Sequence, residues 1–321
     1  MNFRSSVFHL GIFFGLLTMT FAAFAGNKLE IITSVAPITN IVKNIAGDRA
    51  NVEGIVPEGV NSHTFEPAPS DARRLRRADL IIMNGLHLEL PTIKLAESVK
   101  KAKTKIVHLG DLTLSPGEWK FDFSFPKDKG HPNPHLWPNI MLAKKYAELS
   151  RDALIEVDPS SAEIYRKNTD SYVKKLMVLD EAIFACVKAI PKNQRKLVTY
   201  HDSYAYFAPR YGMTVVGAIQ PADFSEPTPR EVIRIIKQLR KEKVPAVFGS
   251  EVFESKVLEQ IAKEAGAKFI DQLADDDLPG KASDSNHSFI GMMVNNMQIM
   301  SEALGGNPRC VDGVDASNNY E

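Results

Sequence analysis

One long uninterrupted helical stretch limits how this chain can fold. It begins after Asp158-Pro159 and continues to Pro191 without a glycine or a proline. A helix of about 30 residues is roughly 45 Å long, since each residue adds ~1.5 Å. That length is too great for one small lobe. We therefore expect a stiff helix that connects two lobes.

Short apolar segments alternate with helical segments on both sides of this stretch. Four strands are predicted before it, at residues 29–35, 51–56, 80–83 and 106–109. Four are predicted after it, at residues 196–200, 213–218, 246–248 and 267–270. Alternating strands and helices form mainly parallel sheets that are covered on both faces. The predicted fold is α/β, with two lobes, each a mainly parallel sheet flanked by helices, bridged by one long rigid helix.

These patterns divide the chain into five segments. We predict a signal peptide at 1–25, an N-terminal α/β lobe at 26–157, the connecting helix at 158–190, a C-terminal α/β lobe at 191–306 and a tail at 307–321. Residues 115–134 are rich in glycine, proline and lysine, which predicts a mobile surface loop.

The first 25 residues have the features of a cleavable secretory signal. Arg4 precedes an apolar run from Val7 to Phe24, which ends at the small-residue triplet Ala23-Phe24-Ala25. The run contains glycine and is short for a bilayer span, so cleavage after Ala25 is favoured over a transmembrane anchor. No cysteine stands at that site to carry a lipid. We expect a soluble periplasmic protein.

Two cysteines, Cys186 and Cys310, lie far apart in the sequence. In an oxidising periplasm such a pair can form a disulfide between the tail and the long helix. Two free thiols are the alternative, because a disulfide requires the two Cα atoms to lie within about 7 Å. The sequence leaves both open.

The charge balance argues against two classes of partner. Lys and Arg together number 39, as do Asp and Glu. A balanced chain lacks the basic surface with which proteins bind nucleic acid, and the polybasic patch that binds an anionic membrane. We expect no nucleic-acid partner.

Four histidines stand where an α/β protein places its ligands. His63 lies between a strand end and a helix, and His135 lies just before a helix. His201 directly follows a strand, and His287 stands at the start of the last helix. Ligands of open α/β sheets gather at the carboxyl ends of strands. Four imidazoles would complete a closed tetrahedral Zn²⁺ site, with Mn²⁺ as the alternative ion.

The competing interpretation is that these are ordinary polar loop residues, since none forms a short-range ligand motif. His87, His108 and His131 are assigned to that class, although His87 is the one best placed to line the cleft. Further residues are predicted to support the ligands or to replace one of them, namely Glu66, Asp202 and Asp284.

Several of these residues also carry a resemblance to a known family. His63-Thr64-Phe65-Glu66-Pro67 and His201-Asp202-Ser203-Tyr204 are similar to motifs of the periplasmic zinc- and manganese-binding proteins of ABC importers, the ZnuA/TroA-like family. The family's usual Asp-Pro-His-x-Trp-x-Asp-Pro stands here as Asn133-Pro134-His135-Leu136-Trp137-Pro138-Asn139, without its acidic residues. The resemblance covers nearly all of the mature chain.

The resemblance implies a monomeric two-lobe carrier that captures a divalent metal in its cleft and delivers it to the membrane permease of an ABC importer. It implies that His63 and His135 from the first lobe, and His201 from the second, bind the metal. The family's acidic fourth ligand aligns best with His287, which leaves His287, Asp284 or water as the fourth donor. Nitrogen donors favour zinc. Manganese and iron are the alternatives.

Two other functions compete with transport. A zinc hydrolase needs an open coordination position and a general base, such as Glu66 or Asp202. The sequence contains no H-E-x-x-H stretch or comparable catalytic motif. An adhesin-like surface protein with a structural metal would need an anchor or a low-complexity stalk. We predict a transport protein rather than an enzyme.

Overall fold

The structure is a computed structural model that describes residues 28–222, 224–250, 252 and 256–320. The predicted signal peptide at residues 1–25 lies outside the described residues. Across the described ranges, no helix is both long and apolar enough to span a bilayer.

The first lobe is built on a four-stranded parallel sheet in the order β2-β1-β3-β4. Its strands are β1 (Leu29–Thr33), β2 (Ala50–Gly54), β3 (Leu80–Met83) and β4 (Lys105–His108). Its helices are α1 (Ala36–Ala46), α2 (Pro69–Arg77), α3 (Leu90–Val99), α4 (Leu109–Thr113) and α5 (Ile140–Val157). Every residue of β3 is buried, as expected for a central strand covered on both faces.

The second lobe repeats this arrangement with a parallel sheet in the order β6-β5-β7-β8. Its strands are β5 (Lys196–Thr199), β6 (Thr214–Ala218), β7 (Ala246–Ser250) and β8 (Lys268–Leu273). Its helices are α7 (Phe207–Tyr211), α8 (Pro229–Glu242), α9 (Lys256–Ala265) and α10 (Phe289–Ala303). The strand order is the same in both lobes, so the same edge of each sheet can face the cleft.

The predicted long helix is α6 (Ala162–Ala189), which has 28 residues and follows a 3₁₀ turn at Pro159–Ser161. At ~1.5 Å per residue it is roughly 42 Å long. Tyr165, Tyr172 and Leu179 are buried along one face, and the helix packs against α1, α5 and α10. The predicted α/β fold with two lobes and a bridging helix is confirmed. The residue limits of the lobes stay predictions.

The C-terminal tail is tied to both α6 and the first lobe. Cys186 and Cys310 form a disulfide with their Cα atoms 5.2 Å apart. Further along, Asn318 Oδ1 accepts hydrogen bonds from Asn40 Nδ2 at 3.0 Å and Asn44 Nδ2 at 3.1 Å. The tail therefore runs from the end of α10 across the long helix to α1.

The stretch at residues 115–134 differs from the predicted surface loop. Two parts of it pack inward, residues 124–125 and 132–134, with Ser124 and Asn133 buried, whereas residues 127–131 between them are exposed. Ser124 Oγ accepts a hydrogen bond from the main-chain nitrogen of Asp202, in the second lobe, at 2.9 Å. Glycine and proline composition indicates irregular backbone, but it does not decide which side chains are buried. This segment therefore forms part of the contact between the lobes.

Candidate metal centre

Three of the predicted metal ligands lie together between the lobes. His63 Nε2 is 3.2 Å from His135 Nε2, which is 3.3 Å from His201 Nε2. His63 stands in the loop between β2 and α2, His135 stands just before α5, and His201 follows β5. The first two belong to the first lobe and the third to the second. The cluster therefore joins the two lobes.

A carboxylate from the second lobe lies against two of these histidines. Asp275 Oδ2 lies 3.0 Å from His201 Nε2 and 3.6 Å from His135 Nε2. Asp275 is buried and follows the end of β8 at Leu273. The neighbouring Asp276 carboxylate also lies close to His135, and it accepts a hydrogen bond from Ser62 Oγ at 2.5 Å. Asp275 is the fourth donor that this geometry favours.

The spacing of the four side chains fits one small cation. Ligand atoms placed 2.0–2.1 Å from a tetrahedral Zn²⁺ lie about 3.3 Å from one another. Four of the pairwise distances among these residues, those between His63 and His135, His135 and His201, His201 and Asp275, and His135 and Asp275, range from 3.0 to 3.6 Å. These pairs therefore have the spacing expected of neighbouring ligands around one ion.

Neighbouring groups set the orientation of His135 and Asp275. His135 Nδ1 lies 2.9 Å from Asn133 Oδ1, an oxygen that can only accept, so Nδ1 carries the proton and Nε2 presents its lone pair to the cluster. Trp137 Nε1 donates to the main-chain oxygen of Asp275 at 2.8 Å. The segment at 133–137 thus holds one ligand of each lobe.

The environment favours the neutral form of His63 and His135. Burial lowers the pKa of His63 well below its usual value, and repulsion from His201 lowers this pKa further. Burial likewise lowers the pKa of His135, with smaller contributions from His201 and His63. Neutral imidazole is the form that binds a metal.

Aromatic side chains flank His63 at the edge of an outer cavity. Phe224 stacks on the His63 ring with centroids 4.6 Å apart, and Phe125 lies at 5.5 Å. The cavity has a volume of about 120 Å³ and is lined by these two rings and by His63, His87 and His131. The rings of His87 and His131 lie 4.1 Å apart. His87 lines the cleft without joining the ligand group.

The structure places His287 elsewhere, which corrects its predicted role as the fourth ligand. Its Nδ1 lies 3.2 Å from the main-chain oxygen of Pro279, and its Nε2 lies 3.5 Å from Glu58 Oε1. The loop after Asp275 carries the chain away from the cluster before α10 begins.

The remaining predicted residues also lie outside the donor group. Asp284 is exposed and accepts a hydrogen bond from the main-chain nitrogen of Lys281 at 2.9 Å, and Glu66 is exposed. Asp202 is buried beside His201, where its Oδ1 accepts from the main-chain nitrogen of Tyr204 at 3.1 Å. Burial, and then the Asp122 carboxylate, raise the pKa of Asp202 to about 7. Of these three, Asp202 alone adjoins a ligand.

Sequence reasoning missed Asp275 although a usable signal was present. The rule that ligands follow strand ends selects His201 after β5, and it selects Asp275 after β8 in the same way. The strand predicted at 267–270 stops three residues before the observed end at Leu273. That error placed Asp275 inside a long acidic loop, where nothing distinguished it from Asp276, Asp277 or Asp284.

Comparison with known proteins decides the family. The model of the family described as zinc-uptake complex component A, periplasmic (ZnuA), matches residues 31–303. The chain belongs to this family. It is 34% identical to the iron-binding protein YfeA of Yersinia pestis over 254 residues, 79% of either chain. It is 31% identical to the manganese ABC transporter substrate-binding lipoprotein PsaA of Streptococcus anginosus over 288 residues, 88% of this chain and 91% of PsaA.

Solved structures agree with this assignment. The Cd-bound periplasmic metal binding protein from Candidatus Liberibacter asiaticus superposes with a TM-score of 0.76 at 27% identity, covering 86% of this chain and 100% of that one. The periplasmic zinc binding protein TroA from Treponema pallidum has the same fold, with a TM-score of 0.78 at 24% identity over 86% of this chain and 99% of TroA.

The predicted family and the assignment to transport rather than catalysis are confirmed. The chain is the metal-binding, substrate-binding component of an ABC importer. Its cargo is a divalent metal ion, and its partner is the membrane permease of that importer. The names of the relatives cover iron, manganese and zinc. Membership of the family therefore does not determine which ion this chain binds.

Proposed function

We propose that the chain captures Zn²⁺ with His63, His135, His201 and Asp275 and delivers it to the importer's permease. The observation that carries this proposal is the close approach of three imidazole nitrogens and one carboxylate oxygen, with four of their pairwise distances between 3.0 and 3.6 Å. Imidazole suits Zn²⁺, whereas Mn²⁺ prefers carboxylate, carbonyl and water oxygens. Three nitrogen donors out of four favour zinc, although the replacement of His287 by Asp275 makes the donor set less nitrogen-rich than the sequence predicted.

The donor set also favours metal transport over catalysis. A catalytic zinc keeps one position open for water, whereas four protein ligands close the shell. Glu66 and Asp202, the candidate general bases of a hydrolase, lie outside the donor group. A closed shell retains its ion until the importer displaces a ligand.

We further propose that residues 1–25 are removed on export and that a monomer works in the periplasm, with lobes at 26–157 and 191–306 joined by residues 158–190. The apolar run that ends at Ala23-Phe24-Ala25 supports the cleavage. Mass spectrometry of the protein from its native compartment, together with its mass in solution, tests cleavage and oligomeric state.

Competition between the purified protein and a chromogenic chelator tests the ligand assignment. Each of four alanine substitutions, at His63, His135, His201 and Asp275, should weaken Zn²⁺ binding by at least about 100-fold. Loss of an outer-shell partner weakens binding by up to about that factor, and loss of a ligand should cost no less. His287→Ala is the matched control and should bind as the wild type does. Unchanged affinity in the variants of His63, His135 and His201 would contradict the assignment. Equal losses for Asp275→Ala and His287→Ala would contradict the choice of Asp275 as the fourth ligand.

A further inference from the structure

Asn133 uses all four hydrogen-bonding positions of one buried amide. Its side chain is fully buried. The oxygen accepts from the main-chain nitrogen of His135 at 2.9 Å and faces His135 Nδ1 at 2.9 Å. The nitrogen donates to Asp122 Oδ2 at 2.8 Å and to the main-chain oxygen of Asp202 at 2.5 Å.

These partners identify which atom of the Asn133 amide is the oxygen and which is the nitrogen. A main-chain N–H can only donate and a main-chain carbonyl can only accept. The oxygen of Asn133 therefore faces His135, and the nitrogen faces Asp202. His135 is a candidate ligand of the first lobe, and Asp202 directly follows His201 of the second. One amide thus links the backbones that present ligands from opposite sides of the cleft.

We propose that Asn133 is a positioning residue that sets His135 and His201 in one geometry through the two ends of its amide. This inference rests on the proposed function. An acceptor for His135 Nδ1 alone could equally be a carboxylate, which would make the imidazole a stronger donor. The contacts to Asp122 and Asp202 require a donor, and a carboxylate at position 133 has none.

The oxygen end of the Asn133 amide must accept hydrogen bonds and the nitrogen end must donate them, and this difference provides the test. Asn133→Asp keeps the acceptor for His135 but places a carboxylate against the Asp202 carbonyl and the Asp122 carboxylate. We expect Zn²⁺ affinity to fall by about 10- to 100-fold, the range seen when outer-shell partners of a metal site are removed. Affinity equal to or above that of the wild type would overturn the proposal, because it would show that only the acceptor end matters.

Asn139→Asp is a matched control in the same segment. Asn139 Oδ1 accepts from Met141 N at 3.1 Å, and its Nδ2 donates to the main-chain oxygen of Tyr206, in the second lobe, at 3.1 Å. The substitution adds the same charge and removes the same kind of contact between the lobes, but it touches no ligand. Its Zn²⁺ affinity should match that of the wild type. A loss as large as that of Asn133→Asp would overturn the specific role of Asn133.

A double variant separates the contact with Asp202 from charge repulsion. Asp122→Asn combined with Asn133→Asp leaves the net charge unchanged and preserves a hydrogen bond between positions 122 and 133 with its direction reversed. The amide oxygen introduced at position 122 can still accept from Ser124 N and Phe125 N, as Asp122 Oδ1 does at 3.0 and 3.1 Å. Only the donor to the Asp202 carbonyl is missing. We expect affinity to stay at least about 10-fold below the wild type, and full recovery would overturn the proposal.

A spectroscopic measurement distinguishes positioning from a general structural role. Burial of a second carboxylate beside Asp122 should lower the thermal midpoint of metal-free Asn133→Asp whatever the role of Asn133, so the midpoint is not the criterion. The visible absorption of the Co²⁺ complex depends on coordination geometry, and it should differ from the wild type in Asn133→Asp but not in Asn139→Asp. An unchanged Co²⁺ spectrum in Asn133→Asp would overturn the positioning role. Failure of the wild type itself to bind Zn²⁺ would refute the proposed function, whereas equal binding by wild type and variants would refute this inference alone.

Discussion

At the scale of single residues, the proposed site makes His201 a determinant of the choice of ion. Its Nε2 lies 3.3 Å from His135 Nε2 and 3.0 Å from Asp275 Oδ2. A carboxylate at this position would change the donor set from three nitrogens and one oxygen to two of each. Harder ions prefer oxygen. The ratio of Zn²⁺ to Mn²⁺ affinity therefore depends on this side chain.

We predict that His201→Glu lowers the affinity for Zn²⁺ relative to Mn²⁺ by about 10-fold or more, since it exchanges a borderline donor for a hard one. Competition between the two ions, followed by elemental analysis of the dialysed protein, measures the ratio. His287→Glu makes the same exchange away from the cluster and should leave the ratio unchanged. An unaltered ratio in His201→Glu would show that selectivity arises elsewhere.

The histidines illustrate how far sequence reasoning extends at this scale. The proximity of His63, His135 and His201 was predictable because each follows a strand or precedes a helix within a distinctive motif. His287 was selected by counting back from α10 along a loop of unknown path. A loop of this length can place any of its acidic residues at the cleft. Only the three-dimensional course after β8 shows that Asp275 faces His201.

At the scale of elements, the tail restrains the long helix. The disulfide joins residues 124 positions apart, and Lys175 Nζ on α6 also pairs with Asp315 Oδ2 at 2.9 Å. Asn318 then continues the contact to α1. The lack of glycine and proline predicted α6, because helix formation depends largely on the local sequence. The sequence could not predict the disulfide, because the approach of two distant Cα atoms is a property of the folded chain.

We predict that Cys186→Ala combined with Cys310→Ala lowers the free energy of unfolding by about 2–5 kcal/mol, since a long closed loop restricts the unfolded chain. Denaturant titration of metal-free protein measures the loss, and reductant should lower the wild type similarly. Lys175→Ala removes a partly exposed ion pair and the hydrogen bonds of Lys175 Nζ to the main-chain oxygen and the hydroxyl of Ser317, and it should cost about 1–2 kcal/mol. A loss for the cysteine variant no larger than that for Lys175→Ala would show that the disulfide has little influence on stability.

At the scale of the whole molecule, several independent connections hold the lobes in place. The long helix contains no glycine or proline at which it could bend. Asp180 on it accepts hydrogen bonds from Arg210 Nε at 2.9 Å and Tyr211 Oη at 2.6 Å, both in α7. The tail ties α6 to the first lobe. The acidic loop after β8 adds another contact, because Asp277 Oδ2 accepts from the main-chain nitrogen of Gly59 at 2.7 Å.

These connections predict that metal binding causes little closure of the lobes. A protein with flexible linkers between its lobes can close around its cargo, whereas a continuous helix resists such motion. We expect the radius of gyration of the metal-free and Zn²⁺-loaded protein to differ by less than about 1 Å, as in other pre-organised binding sites. Small-angle X-ray scattering measures the difference. The double cysteine variant, which removes the covalent tie between the tail and α6, should show a larger change than the wild type. A contraction of several ångströms in the wild type would instead show that the ligands assemble only when the lobes close, and the donor spacing described above would then belong to the closed state alone.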